Sequence, residues 1–147
     1  MGKIKESFSA GEAAKITGVP YRNLDYWART KFIVPSISEA KGTGTERKYA
    51  FDDLVALRIA RELRVGGIST QALRGVVDEL RKIKGGLQNP LAKSRLVVVG
   101  SDVKLVNSCE DVISMIDKPG QSAFAFMVNL ERTIETIKTD VKALRAA

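Results

Sequence analysis

The chain has 147 residues and a net charge of +7, and 44% of its residues are hydrophobic. No apolar run approaches the roughly 18 residues that a membrane-spanning helix needs, so no membrane is expected among its partners. There is no histidine and a single cysteine, Cys109, which excludes a disulfide framework and a Cys/His zinc site within one chain. We therefore predict no metal, no cofactor and no catalytic residues. The absence of a secretory signal predicts a cytoplasmic location.

The positive charge is concentrated in the first part of the chain. Residues 1–84 hold 16 basic and 10 acidic residues, whereas residues 85–147 hold 8 and 7. Such a field is expected where a protein meets a polyanion. A basic protein without such a partner is the alternative, and charge alone does not separate the two.

Two short helices joined by a tight turn are predicted near the N-terminus. Residues 9–12 have the capping-box pattern of a helix start. Gly18 suits the turn because glycine adopts a positive φ at low cost. Pro20 lies at the start of the second helix, where its missing N–H costs little. Two short helices around a glycine-containing turn indicate a helix-turn-helix.

The second predicted helix has two different faces. Leu24 and Trp27 lie three residues apart on an apolar flank, while Arg22, Tyr26 and Arg29 line another face. Two guanidinium groups and a phenol suit phosphates and base edges better than they suit a core. The alternative is the solvated face of an ordinary helix.

A wing is predicted after this helix. Residues 36–40 and 46–51 are expected to pair as a hairpin around a flexible basic tip that contains Lys41. Arg47 and Tyr49 should then lie on one side of the second strand, with Lys48 on the other. No Gly-Lys-Ser/Thr motif follows the glycines of the tip, which argues against a nucleotide site.

Two further helices follow the predicted wing. Asp52 or Asp53 opens the third helix, and Ser69 caps the fourth. The spacing of their apolar residues predicts one buried face on each helix. The predicted buried residues are Leu54, Ala56, Leu57, Ile59, Ala60 and Leu63 on the third helix, and Leu73, Val76, Val77, Leu80 and Ile83 on the fourth.

The sequence changes character beyond a predicted linker at residues 85–94. The β-branched runs at 96–99 and 103–106 predict a hairpin, and residues 123–128 predict a further strand. A helix capped by Ser108 is expected between them. The fold class predicted for the whole chain is α+β, with a small α/β domain of hairpin, helix, strand and helix at the C-terminus.

The last predicted helix carries an apolar seam that steps by four and three residues. Such a seam packs either on its own chain or against a second copy. Because Gly85, Gly86 and Pro90 disfavour one long coiled-coil helix, we expect the dimer contact within residues 95–147, along this seam or the neighbouring hairpin edge. The seam consists of Leu130, Ile134, Ile137, Val141 and Leu144.

Taken together, these motifs resemble the MerR family of bacterial transcriptional regulators. Residues 18–35, the triplet 47–49 and the Gly-Ile-Ser of 67–69 occur in the family's order at fitting separations. The resemblance covers about residues 7–84. The stretch Leu-Asp-Tyr-Trp-Ala-Arg-Thr is similar to one subgroup of the family.

The resemblance implies a winged helix-turn-helix in residues 1–84 and a dimerisation or sensing domain in residues 95–147. It implies a sequence-specific regulator that binds double-stranded DNA as a homodimer at a promoter inverted repeat in the bacterial nucleoid. RNA polymerase is a possible further partner. The positions it assigns to DNA are Tyr21, Arg22, Asn23, Tyr26, Arg29, Lys41, Arg47, Lys48 and Tyr49.

Two positions depart from the family pattern within the recognition helix. The aromatic pair of the family usually reads Tyr-Tyr, whereas this chain has Tyr26 and Trp27. Most relatives have an arginine where this chain has Asp25. A carboxylate there would repel phosphate unless it pairs with Arg22 or Arg29, or accepts a hydrogen bond from a cytosine amine.

Two other functions are compatible with the same sequence. A phage-type excision or packaging factor would use the same DNA-binding residues, and genomic neighbourhood would distinguish it. An antitoxin-like protein-interaction adaptor would depend on the tail, and co-purification with a second protein would favour it. An enzyme is the least favoured class, because no nucleophile, base and orienting group stand out together.

Overall fold

The computed structural model describes residues 7–37, 47–83, 89–93, 96–99, 102–105, 124–128 and 130–146. The elements of the first part are β1 (Phe8–Ser9), α1 (Ala10–Thr17), α2 (Tyr21–Arg29), β2 (Lys48–Tyr49), α3 (Phe51–Val65) and α4 (Thr70–Ile83). A 3-10 turn (Pro90–Lys93), β3 (Leu96–Val99), β4 (Asp102–Leu105), β5 (Phe124–Val128) and α5 (Leu130–Ala146) follow. None of the helices in these ranges is long and apolar enough to cross a membrane.

The predicted helix-turn-helix is confirmed in its local detail. The Ser9 hydroxyl accepts a hydrogen bond from the Glu12 N–H at 3.2 Å, and the Glu12 carboxylate accepts one from the Ser9 N–H at 3.0 Å. Gly18 ends α1 with φ +79°. This left-handed conformation favours glycine, because residues with a Cβ rarely adopt it.

The strand predicted for residues 46–51 is shorter in the described residues and has β1 as a neighbour, while its hairpin with residues 36–40 stays a prediction. β2 pairs antiparallel with β1, which places Phe8 opposite Tyr49. α3 already begins at Phe51 because the Asp53 carboxylate accepts the Ala50 N–H at 2.8 Å and caps the helix start. The Ile37 N–H donates to the Lys48 carbonyl at 3.2 Å. Residues 38–46, with the predicted tip and Lys41, lie outside the described residues.

Helix α3 forms the centre of the hydrophobic core. All six residues predicted for its buried face are buried, and so are Leu73, Val77 and Leu80 of α4, while Val76 is partly buried. The Ser69 hydroxyl accepts the Ala72 N–H at 3.1 Å, which confirms the predicted cap of α4. These contacts hold α3 and α4 behind the helix-turn-helix.

The end of the predicted linker packs on this core. Leu91 and Ala92 of the 3-10 turn are buried in it. The Asn89 side-chain amide donates to the Val34 carbonyl at 3.0 Å and to the Asp53 carboxylate at 2.7 Å. Residues 89–93 are therefore part of the packed structure around α3, and the domain boundaries at 84 and 95 stay a prediction.

The C-terminal elements comprise a three-stranded sheet and helix α5. The strand order is β4-β3-β5, with both neighbouring pairs antiparallel. The helix predicted from Ser108 lies outside the described residues. Helix α5 packs on α1 and α3, and the Arg145 guanidinium contacts the Glu12 carboxylate at 3.3 Å and the Ser7 carbonyl at 3.1 Å.

The apolar seam of α5 packs inside the chain at its centre. Ile137 is fully buried and Val141 is buried in the same core as α3. At these two positions the seam packs on its own chain and not on a second copy, since α1 and α3 supply an apolar surface within the chain. Leu130, Ile134 and Leu144 are partly buried against that core, and their role in dimerisation stays a prediction.

Candidate nucleic-acid interface

Helix α2 is anchored by one face and presents the other. Leu24, Trp27 and Ala28 are buried, and the Trp27 ring meets the Phe32 ring edge to face, with centroids 5.2 Å apart. On the opposite side Tyr21 and Tyr26 are 59% and 51% exposed. Arg22 and Arg29 are exposed, and Asn23 is half-buried. The structure thus brings five of the nine predicted DNA contacts together on one helix.

Asp25 bridges two arginines at the edge of this face. Its carboxylate contacts Nε of Arg29 at 2.9 Å and Nη1 of Arg47 at 2.8 Å. The hydrogen bond from Arg29, with that from Arg47, holds the pKa of the Asp25 carboxyl below its ordinary value. The pairing with Arg29 is one of those that would relieve phosphate repulsion, and the three charged groups together carry one net positive charge.

The Arg47 side chain is largely buried and paired, unlike an exposed cation at the surface of a wing. This side chain is only 14% exposed, and its guanidinium joins the residue before β2 to α2 through Asp25. The neighbouring Lys48 is exposed and lies on the other side of the strand from buried Tyr49. Of the predicted wing residues, Lys48 is therefore the one whose described side chain is openly available to a phosphate.

Tyr49 is a core residue, which corrects its predicted contact with DNA. The side chain is fully buried, opposite Phe8 in the β1–β2 pair. Within the described part of the chain its hydroxyl has no hydrogen-bond partner, and burial raises the pKa of Tyr49 to about 12. A short strand whose side chains alternate turns one residue inward, and Tyr49 holds that position.

Helix α4 adds two arginines that the sequence did not single out. Arg74 donates to the Thr30 hydroxyl at 2.6 Å, and its guanidinium lies over the Tyr26 ring, 5.7 Å from the centroid. Arg81 donates to the Phe32 carbonyl at 2.9 Å. Both partners lie more than 40 residues away in sequence, so spacing within α4 could not reveal these contacts. They place α4 against the C-terminal end of α2.

Comparison with known proteins agrees with this geometry. The profile described as MerR HTH family regulatory protein matches residues 8–80. Those residues are thus similar to the HTH domain of the MerR family. This region contains β1, β2, α1 to α3 and most of α4, and therefore the whole described face of α2.

Curated proteins similar to this chain are named as regulators. Proteins of Mycobacterium tuberculosis and Mycobacterium bovis, each named an uncharacterized HTH-type transcriptional regulator, are 41% identical to it over 117 residues. That alignment covers 80% of this chain and 50% of each relative. The chain thus spans about half the length of the curated relatives it matches.

Two solved structures are more distant. A MerR-family transcriptional regulator from Bacillus cereus has 18% identity and a TM-score of 0.42, with 94% of this chain and 98% of that chain covered. A crystal structure of a protein from Mycobacterium tuberculosis has 16% identity and a TM-score of 0.45, with 82% and 66% covered.

The buried phenol of Tyr49 predicts a specific loss of stability at alkaline pH. The ordinary pKa of tyrosine is 10.0, and the pKa of Tyr49 in the folded chain is about 12. Between these two pH values Tyr49 ionises in the unfolded chain but stays protonated in the folded one. The folded state then binds more protons, so stability falls as pH rises through this window and is fully present below it. Each pH unit corresponds to about 1.4 kcal/mol. We expect the free energy of unfolding of Tyr49→Phe, measured by urea denaturation, to fall less than that of the wild type as the pH rises through this window.

The same variant separates a core role from a DNA role. At neutral pH Tyr49→Phe removes a buried hydroxyl that has no hydrogen-bond partner in the described residues, so stability should be unchanged or slightly higher. DNA affinity should also be unchanged. A clear loss of affinity by a stably folded Tyr49→Phe would restore the predicted DNA contact.

Proposed function

We propose that this chain is a sequence-specific regulator of transcription that binds double-stranded DNA as a homodimer at a promoter inverted repeat. Helix α2 would enter the major groove and read base edges, while Lys48 and the predicted tip with Lys41 would contact the backbone. The observation that carries the proposal is the outward face of α2, where exposed Tyr21, Arg22, Tyr26 and Arg29 stand on a fully packed apolar flank.

Rigid support of this face favours base recognition. Leu24 and Trp27 fix α2 to the core, and Asp25 fixes Arg29 and Arg47 relative to each other. Side chains held before DNA arrives lose less conformational freedom on binding. Arginine can donate two hydrogen bonds to one guanine, which suits Arg22 and Arg29 for discrimination between bases.

Two copies of the domain would be needed for useful selectivity. A single short helix reads only a few base pairs, whereas a genome offers very many competing sites. A twofold dimer would recognise half-sites separated by about one helical turn or a multiple of it. We place the dimer contact in residues 95–147, through the strands of the three-stranded sheet or the less buried residues of the α5 seam. RNA polymerase remains a possible partner at the promoter, in the bacterial cytoplasm.

Arg22→Ala tests the base-reading role. The wild-type protein is first used to select its preferred sequence from random duplex DNA, and affinities for that sequence and for random DNA are then compared. If Arg22 reads a base, the variant should lose about 1–3 kcal/mol on the selected sequence and much less on random DNA. An equal loss on both DNAs would make Arg22 a phosphate contact instead.

Two matched variants complete this experiment. Lys48→Ala should weaken binding to all sequences alike and reduce the salt dependence by roughly one unit, as expected for a phosphate contact. Lys142→Ala removes an exposed lysine of α5 and should change neither quantity. A selected sequence without twofold symmetry, or a monomer in sedimentation of the full chain with that DNA, would contradict the dimer at an inverted repeat.

A further inference from the structure

Arg74 of α4 makes several contacts with the end of α2. Arg74 donates to the Thr30 hydroxyl at 2.6 Å, and that hydroxyl in turn donates to the Tyr26 carbonyl at 2.8 Å. The guanidinium also lies over the Phe32 ring, 4.9 Å from its centroid. Because Phe32 is almost completely buried, Arg74 connects the exposed end of α2 to the core.

The same guanidinium restricts Tyr26 on the presented face. The phenol ring lies beneath two guanidinium groups, with Arg29 6.0 Å and Arg74 5.7 Å from its centroid. Cation–π contacts of this kind favour one orientation of the Tyr26 ring. The ring of a fully solvated tyrosine would instead exchange among several rotamers. Tyr26 is nevertheless 51% exposed, so its edge and hydroxyl remain open to a ligand.

Arg81 holds the next part of the same segment. It donates to the Phe32 carbonyl at 2.9 Å and to the Lys31 carbonyl at 3.4 Å. Lys31 has φ +63°, a left-handed conformation that residues other than glycine adopt infrequently. Cationic side chains from α4 thus satisfy carbonyls at and just beyond the C-terminal end of α2, where positive charge is favourable.

We propose that Arg74 is a positioning residue that orients Tyr26 for base contact, so that α4 sets part of the sequence preference of α2. This inference rests on the proposed function, since it requires α2 to read DNA. It extends the interface to a residue more than 40 positions from the recognition helix.

A direct phosphate contact by Arg74 is the competing explanation, and lysine distinguishes the two. Lysine keeps the positive charge but lacks the planar group that stacks on a ring and donates in a fixed fork. Orientation of Tyr26 predicts that Arg74→Lys loses selectivity almost as Arg74→Ala does. A phosphate contact predicts that Arg74→Lys restores binding and the salt dependence.

A double-mutant cycle on the selected DNA measures the coupling. In the full-length protein, Tyr26→Ala and Arg74→Ala should each lower affinity for the selected sequence about five- to a hundredfold and affect random DNA much less. Because both changes remove the same oriented phenol, the double variant should bind no worse than Tyr26→Ala alone. Multiplicative losses, or rescue by Arg74→Lys, would overturn the positioning role. Lys82→Ala removes an exposed charge from the same helix and should leave selectivity unchanged.

A measurement without DNA keeps the two proposals separable. The Arg74 side-chain protons should show ring-current shifts in NMR spectra that diminish in Tyr26→Ala, and Arg74→Ala should retain a cooperative thermal transition. Shifts that stay the same in Tyr26→Ala would come from Phe32 alone and would overturn the positioning role, even if the protein selects a DNA sequence. Shifts present in a protein that selects no sequence would reject the proposed function, and the positioning role with it.

Discussion

Asp53→Ala should lower the free energy of unfolding by about 2–4 kcal/mol, because it removes a buried carboxylate that accepts four hydrogen bonds from three separate segments. The Asp53 carboxylate is 2% exposed and accepts hydrogen bonds from the N–H and hydroxyl of Ser36, the N–H of Ala50 and the amide of Asn89, at 2.7 to 2.8 Å. It joins the exit of α2, the start of α3 and the 3-10 turn. Urea denaturation at neutral pH measures the loss.

Asp52→Ala is the matched control for this variant. Asp52 occupies the same first turn of α3 but is exposed, so both changes remove a carboxylate that is favourable at a helix N-terminus. The difference between the two variants therefore reports the buried network. Equal losses would contradict a larger contribution from the buried Asp53 carboxylate than from an exposed carboxylate of the same turn.

Ile137→Glu should be similarly destabilising, by about 3–5 kcal/mol, because it places a carboxylate where the side chain is fully buried against α1 and α3. Ile137→Ala should lose about 2–4 kcal/mol through the cavity alone. Since the packing lies within the chain, both losses should be independent of protein concentration in urea denaturation.

Lys138→Glu provides the comparison on the next residue of α5. Lys138 is 57% exposed and ion-paired with Glu135 at 3.4 Å, a contact of the kind that contributes little to stability. If the seam instead holds two chains together, Ile137→Glu should be a stable monomer. The difference between its free energy of unfolding and that of the dimeric wild type should then depend on protein concentration. Sedimentation of the variant in parallel with the denaturation curves would reveal that result.

Local sequence spacing determined much of the helix-turn-helix region and of the two helices that follow it. The capping box at Ser9 and Glu12, the positive φ of Gly18 and the cap at Ser69 all involve residues within a few positions of one another. The apolar faces of α2 and α3 follow likewise from helical periodicity. Interactions of this range are set by the geometry of a single turn or helix, so the sequence alone sufficed to predict them.

The sequence also contained Asp25 as an anomaly, and the fold resolved it. Pairing with Arg29 lies one helical turn away and could be anticipated from the sequence. Pairing with Arg47 depends on the tertiary fold, because it requires the segment before β2 to lie beside α2. The same fold turns Tyr49 into the core, because pairing of β2 with β1 sets which side of the strand is buried.

Only the tertiary structure decided the longer contacts. Arg74 and Arg81 reach Thr30 and Phe32 because the tertiary fold places α4 beside the end of α2. Ile137 enters the core because α1 and α3 leave an apolar surface that α5 covers. A periodic apolar seam predicts that one face of a helix will be buried, but it does not predict which element will cover that face. The packing of helices that are distant in sequence decides this.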